Sequence, residues 1–158
     1  MRLLLVRHAE AADTGFGSPV DFDRALTPRG LETAARLAET LKGMRFQLDS
    51  VKSSPLIRAV QTATPLLILC PAGAQLSHCP ELAPDSRDPA KVAAAVNSLK
   101  AKSVAVVGHL PDMAEFASWL LGGAAIRFDR GSAALLDIAG PVGPNSGALN
   151  WLLTPDWY

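Results

Sequence analysis

Apolar positions along the chain recur in two rhythms, and their alternation predicts the architecture. Leu3-Leu4-Leu5-Val6 is a continuous apolar run of strand length, the pattern of a strand buried on both faces. After a break through Gly15, Gly17 and Pro19, Thr27 is predicted to cap a helix that Pro28 starts. Leu31, Ala34, Ala35, Ala38 and Leu41 follow at helical spacing, with Arg36, Glu39 and Lys42 on the other faces, so this helix should cover a sheet and end near Gly43. Residues 50–53 read as a short strand, and a second helix is predicted beyond Ser54-Pro55 with Val60, Ala63, Thr64 and Leu67 on its buried face. Residues 75–78 form a weaker strand. A proline-rich loop through Pro80, Pro84 and Pro89 then leads to a third helix using Val92, Ala95, Val96 and Leu99. Ser103-Val104-Ala105-Val106-Val107 has the character of an interior parallel strand, with Gly108-His109 at its exit and a fourth helix from Pro111 using Met113, Phe116, Ala117 and Leu120. Segments 132–139 and 148–154 flank a run of turn formers and are predicted to pair as a hairpin.

Strands alternating with helices predict an α/β fold: a three-layer α/β/α sandwich whose central sheet is mostly parallel with an antiparallel edge. A chain of 158 residues suits one domain over 1–158. Its 49% hydrophobic and 19% charged residues supply enough apolar surface for a core, which excludes a dominantly disordered state. Fifteen basic residues balance fifteen acidic ones without a basic tail or stripe, so nucleic acid is not the expected partner. Every apolar run falls far short of the ~18 residues of a membrane helix, and the first is too short for a signal peptide, so the expectation is a cytoplasmic protein with no membrane partner. Cys70 and Cys79 lie outside any C-x-x-C spacing and are expected to be free thiols. No metal-ligand spacing, Walker loop or dinucleotide fingerprint occurs, so neither a metal nor another cofactor is implied.

In such sheets ligands bind beyond the carboxyl ends of the strands. Those exits carry Arg7-His8, then Arg58 one turn beyond Ser53-Ser54-Pro55, then Gly108-His109. Two guanidiniums and two imidazoles in one pocket, close to helix ends, are unfavourable when empty and favourable around a phosphate, whose oxygens match the arginine fork. An imidazole attacks phosphorus only through an unprotonated nitrogen, kept so most simply by donating its other N–H to a backbone carbonyl.

The segments Leu5-Val6-Arg7-His8-Ala9-Glu10, Ser53-Ser54-Pro55-Leu56-Ile57-Arg58-Ala59-Val60-Gln61-Thr62-Ala63 and Val107-Gly108-His109 resemble the histidine phosphatase, or phosphoglycerate-mutase-like, superfamily. Leu26-Thr27-Pro28-Arg29-Gly30, Pro80-Glu81-Leu82-Ala83-Pro84, His109-Leu110-Pro111 and the Asn150-Trp151 hairpin resemble its SixA-like branch of phosphohistidine phosphatases. The resemblance implies that His8 accepts the phosphoryl group while Arg7, Arg58 and His109 bind its oxygens. It also implies a phosphorylated protein, such as a phosphotransfer domain, or a small phosphoester as substrate. Larger relatives place a carboxylate after the third strand, which makes Glu81 the candidate proton donor, with Asp21, Asp23 and Asp85 as alternatives; a departing imidazole would need none. Ala9 stands where many relatives have glycine. The stretch from Arg58 to His109 leaves no room for a mutase's helical lid. The competing reading is a non-catalytic phosphate-binding module, against which the retained His8 weighs.

The remaining polar residues are expected to serve the fold. Glu10 should orient Arg7 or nearby backbone, Arg24 and Arg29 are expected to be solvated surface charge, with the pocket rim as their alternative place, and His78 is expected to pack or face solvent. Trp119, Trp151 and Trp157 should pack in the core or hairpin. Ser54 either reaches the pocket floor or caps the following helix.

Overall fold

The computed structural model describes residues 1–13, 21–84, 86 and 88–158. One six-stranded sheet is built from β1 (Arg2–Arg7), β2 (Ser50–Ser53), β3 (Ser77–His78), β4 (Ser103–Gly108), β5 (Ala133–Ile138) and β6 (Gly147–Leu153), in the order β3-β2-β4-β1-β5-β6. β1 pairs parallel with β4, β4 with β2 and β2 with β3, whereas β5 runs antiparallel to both β1 and β6. The expected mostly parallel sheet with an antiparallel edge is therefore present, and the last two strands form the predicted hairpin with a register irregularity at Leu135/Leu136.

Period-two alternation divides the core between the two faces. Leu3, Leu5, Val104, Val106, Ala134 and Leu136 meet Val92, Val96, Phe116 and Leu120 of α3 (Pro89–Asn97) and α4 (Asp112–Leu120). Leu4, Val6, Ala105, Val107 and Leu135 meet Leu37, Leu41, Ala59 and Ala63 of α1 (Pro28–Gly43) and α2 (Ile57–Ala63). Both faces of β1 and β4 are thus covered, which is why these strands read as continuous apolar runs. α1 leaves β1 onto one face and α4 leaves the neighbouring β4 onto the other, so a crevice opens at the carboxyl ends of these two strands.

Helix starts follow their signals more closely than helix faces do. Thr27 Oγ1 accepts from Gly30 N–H and Pro28 occupies the first turn of α1. The buried stripe of that helix runs through Gly30, Ala34, Leu37, Ala38 and Leu41, leaving Leu31 and Ala35 exposed, so the predicted face was rotated. α2 is also corrected. Pro65 has no N–H to continue the α-helical ladder, so α2 ends at Ala63 and a 3-10 turn runs over Thr64–Leu69. Ala59, Thr62, Ala63, Leu66 and Leu69 are buried there rather than Val60, Thr64 and Leu67. α3 stops at Asn97, short of Leu99. Trp151 packs against Phe46 and Trp119 against Phe116, but Trp157 is exposed, contrary to expectation. Cys70 and Cys79 are free thiols, only the second fully buried. No helix among the described residues is long and apolar enough to cross a membrane.

Candidate active site

The exits of β1, β2 and β4 converge on a cavity of about 190 Å³ lined by Arg7, His8, Ala11, Arg24, Arg58, Pro84, His109, Leu110 and Arg130. The four residues that the motifs single out are therefore brought together. The His8 and His109 ring centroids lie 4.9 Å apart. Both strands end in main-chain ties that fix these side chains: His8 N–H donates to the Gly108 carbonyl at 3.0 Å, and Arg7 N–H to that of Ser132.

His8 Nδ1 lies 2.7 Å from the Ala9 carbonyl, a contact only a protonated Nδ1 can make, so Nε2 keeps its lone pair. This is the carbonyl that the chemistry requires. Burial pushes the His8 pKa down to about 4, and Arg58, Arg7 and Arg130 push in the same direction against the bond to Ala9. Ala9 is itself held from the opposite side, where its N–H donates to Thr62 Oγ1 at 3.1 Å, and Thr62 Oγ1 donates to the Arg58 carbonyl. The threonine of the second motif thus ties α2 to the backbone that orients His8. Gln61 Oε1 similarly accepts Leu26 N–H, fixing the approach to α1.

Arg58 is 5% exposed, and its two Nη groups donate to the Asp21 carbonyl at 2.7 Å and to Asp21 Oδ2 at 3.0 Å. Asp21 also pairs through Oδ1 with Arg24 at 2.9 Å. Those arginines, Arg24 first, hold its pKa below the usual carboxylate value, so Asp21 acts as a counter-ion and is unsuited to donate a proton. Arg24 sends its Nε to the Ala12 carbonyl and lines the cavity, in contrast to the expected free surface charge. Arg29 is not among the lining residues. Arg7 donates through Nη1 to the Phe128 carbonyl at 2.9 Å, while its buried Nε has no partner.

His109 is 2% exposed, with Nε2 at 2.8 Å from Ser54 Oγ and a buried Nδ1 that has no protein partner. Burial, with His8 and Arg58 next, pushes its pKa down to about 3. The structure therefore favours a neutral ring.

Glu81 is not brought to this cavity. Its Oε2 accepts from Cys79 Sγ at 3.2 Å, and it lines a separate cavity with Asp88, Asp112 and Glu115. Its own backbone N–H and the thiol lower its pKa, while burial and the carboxylate push Cys79 up to about 11. Asp23 does not line the His8 cavity, and Asp85 lies outside the described residues. Glu10 accepts from Thr27 Oγ1 at 2.8 Å and so braces the start of α1 rather than Arg7. A Cβ at Gly30 would collide with the Glu10 carbonyl, so only glycine lets α1 approach this loop.

Arg130 is the lining residue that motif reading missed. β5 is antiparallel and begins where β1 ends, Ala133 facing Val6, so the segment entering it must lie over His8. Gly131 N–H donates to the His8 carbonyl at 3.2 Å, and the Gly131 carbonyl accepts from Tyr158 OH at 2.7 Å. The positive φ of Gly131, +88°, and the 2.7 Å that would separate a Cβ from Thr33 Cγ2 restrict that turn to glycine.

A neutral imidazole with a free Nε2, set among guanidiniums, can attack an electrophilic phosphorus whose oxygens those guanidiniums hold. No group of three His, Cys, Asp or Glu side chains among the described residues is placed to hold a metal ion. Both ring pKa values should be read directly by NMR titration, with His8 titrating near 4 and His109 near 3. Below the ordinary imidazole value of 6.5 the unfolded chain takes up protons that these folded rings refuse. Thermal stability is therefore expected to fall as pH drops from 6.5 toward 3, and ring titration near 6.5 would contradict this.

The model of the histidine phosphatase superfamily (branch 1) matches residues 3–83, a stretch that includes Arg7, His8 and Arg58. The chain is 29% identical to the phosphohistidine phosphatase SixA of Escherichia coli strain K12, over 98% of this chain and 94% of the relative. It is 32% identical to an uncharacterised Picosynechococcus protein, over 94% and 87%. A solved structure of the protein histidine phosphatase SixA complexed with tungstate superposes with a TM-score of 0.82 at 28% identity, covering 99% of this chain and 98% of the other.

Proposed function

The chain belongs to the histidine phosphatase superfamily and is a phosphatase of it, and from that premise we propose that it hydrolyses phosphohistidine carried on a protein, without a metal ion and through a phosphorylated His8. The observation that carries the mechanism is the 2.7 Å contact of His8 Nδ1 with the Ala9 carbonyl inside the arginine-lined cavity. In this reading Nε2 of His8 forms a bond to phosphorus as the bond from phosphorus to the substrate's imidazole nitrogen breaks. The departing ring takes a proton from water. Arg7, Arg58 and His109 hold the oxygens over which charge spreads in the transition state. Water then attacks phospho-His8, loses its proton to solvent, and inorganic phosphate leaves with His8 neutral again.

Three observations support the substrate class. Two of the relatives named above are protein histidine or phosphohistidine phosphatases by name, and one of these was solved in complex with tungstate, a tetrahedral oxyanion. Glu81 turns away to Cys79, which suits a leaving group able to take its proton from water. We read residues 1–158 as one domain without a helical lid, since the chain between Arg58 and His109 is used for the sheet and for α3, which packs on α4. Leu110 and Arg130, which line the cavity and are exposed, can then meet the protein around the phosphorylated histidine.

The test compares phosphate release from a phosphohistidine phosphotransfer protein and from para-nitrophenyl phosphate, with a chelator present. The proposal expects kcat/KM higher for the protein by about tenfold or more. A preference for the ester would replace it with a small-phosphoester phosphatase. Glu81→Gln is expected to leave phosphohistidine turnover unchanged, and a loss of ~10²-fold or more in the same assay would reinstate Glu81 as the acid.

A further inference from the structure

We propose that Ser54 is a positioning residue that fixes His109 with its proton on Nδ1, making this second imidazole a hydrogen-bond donor to the phosphoryl group. The identity of the accepting group rests on the phosphatase reading above; the tautomer does not.

Ser54 follows β2 and is fully buried, its N–H held by the Val107 carbonyl of β4 at 2.9 Å. Its Oγ accepts Leu56 N–H at 3.3 Å and lies 2.8 Å from His109 Nε2. A hydroxyl has one proton to donate. Were Nε2 of His109 protonated, Ser54 Oγ would accept twice and its own proton would face no acceptor among the described residues. Interiors disfavour such a buried orphan donor. With the hydroxyl donating to Nε2, both groups are satisfied and the imidazole proton must reside on Nδ1. That atom is buried, has no protein partner, and belongs to a residue lining the cavity. The missing partner is then an acceptor brought by the ligand, as a phosphoryl oxygen would be. A proton on both nitrogens is opposed by burial beside His8 and Arg58.

The two rings thus share one tautomer for opposite purposes. His8 gives its Nδ1–H to Ala9 and keeps the Nε2 lone pair for attack, whereas His109 accepts at Nε2 and keeps its Nδ1–H for the ligand. The serine just after β2 serves as both the cap for Leu56 N–H and the floor beneath His109.

Long-range ¹H–¹⁵N spectra of the unmodified, ¹⁵N-labelled protein near neutral pH test the tautomer, with exposed His78 as the internal reference for a ring free to sample both forms. His109 is expected to show a protonated Nδ1 and an unprotonated Nε2, and added inorganic phosphate should move the Nδ1–H signal. Ser54→Ala should shift His109 toward the other tautomer and lower kcat about tenfold or more with little change in KM, as expected for a donor used in the transition state. Ser54→Thr, which keeps the hydroxyl, should restore both readouts. A proton on Nε2 in the unmodified protein, or Ser54→Ala leaving tautomer and kcat unchanged, would overturn the proposal. Should Ser54→Ala fail to fold, the unmodified spectrum still decides. A protein with the expected tautomer but no phosphohistidine turnover would refute the substrate reading alone.

Discussion

Replacing His8 by alanine is expected to abolish phosphoryl transfer, lowering kcat by about 10⁴-fold or more, because no other described side chain lining the cavity supplies an attacking lone pair. The other imidazole, that of His109, offers none: its Nε2 is engaged by Ser54 Oγ, and in the tautomer proposed above its Nδ1 carries a proton in place of a lone pair. The fold should persist in this variant. His8 is held mainly through its main chain, which donates to Gly108 and accepts from Gly131, and alanine keeps both bonds. Removing a ring whose neutral form must be maintained also removes part of the acid sensitivity, so below pH 6.5 the variant should melt no earlier than the parent. Near-parent phosphate release by a folded variant would remove His8 from the mechanism.

Arg58→Ala is expected to cost ~10²–10³ in kcat, the usual effect of removing one charged donor from a site where transition-state charge develops. Its geometry argues for a preset role, since the Asp21 carbonyl and carboxylate clamp both Nη groups before any ligand arrives. Loss of the guanidinium leaves Asp21 exposed to water and still paired with Arg24, so no buried charge is stranded and stability should change by only about 1 kcal/mol. Arg58→Lys should rescue little, because a point charge cannot reproduce the fork that Asp21 orients. Steady-state kinetics with a thermal melt on the same preparation separate the two effects. A variant retaining most of its turnover, or one that fails to fold, would contradict the assignment.

Much of this site was legible because its residues sit at strand exits. Arg7-His8 and Gly108-His109 follow apolar runs whose burial on both faces makes them unmistakable, and parallel pairing of β1 with β4 then places the two histidines side by side. Faces of helices were harder to read: Leu31 and Ala35 fit the spacing of α1, but the stripe centres on Leu37, and Pro65 changes the phase of the chain after α2. Pairwise side-chain choices lay beyond sequence altogether. Glu81 has a motif-like position, yet an adjacent thiol takes its carboxylate; Asp21 looks like a loop acid, yet two arginines make it a counter-ion. Arg130 belongs to no motif, and only the direction of β5 brings it over His8.

The central claim is a covalent bond between phosphorus and Nε2 of His8. Rapid quench of the enzyme with a ³²P-labelled phosphohistidine protein, followed by peptide mapping under alkaline conditions, should find an acid-labile label on the peptide containing His8 and nowhere else. Turnover with no label on the enzyme, or a label on any other residue, would contradict it.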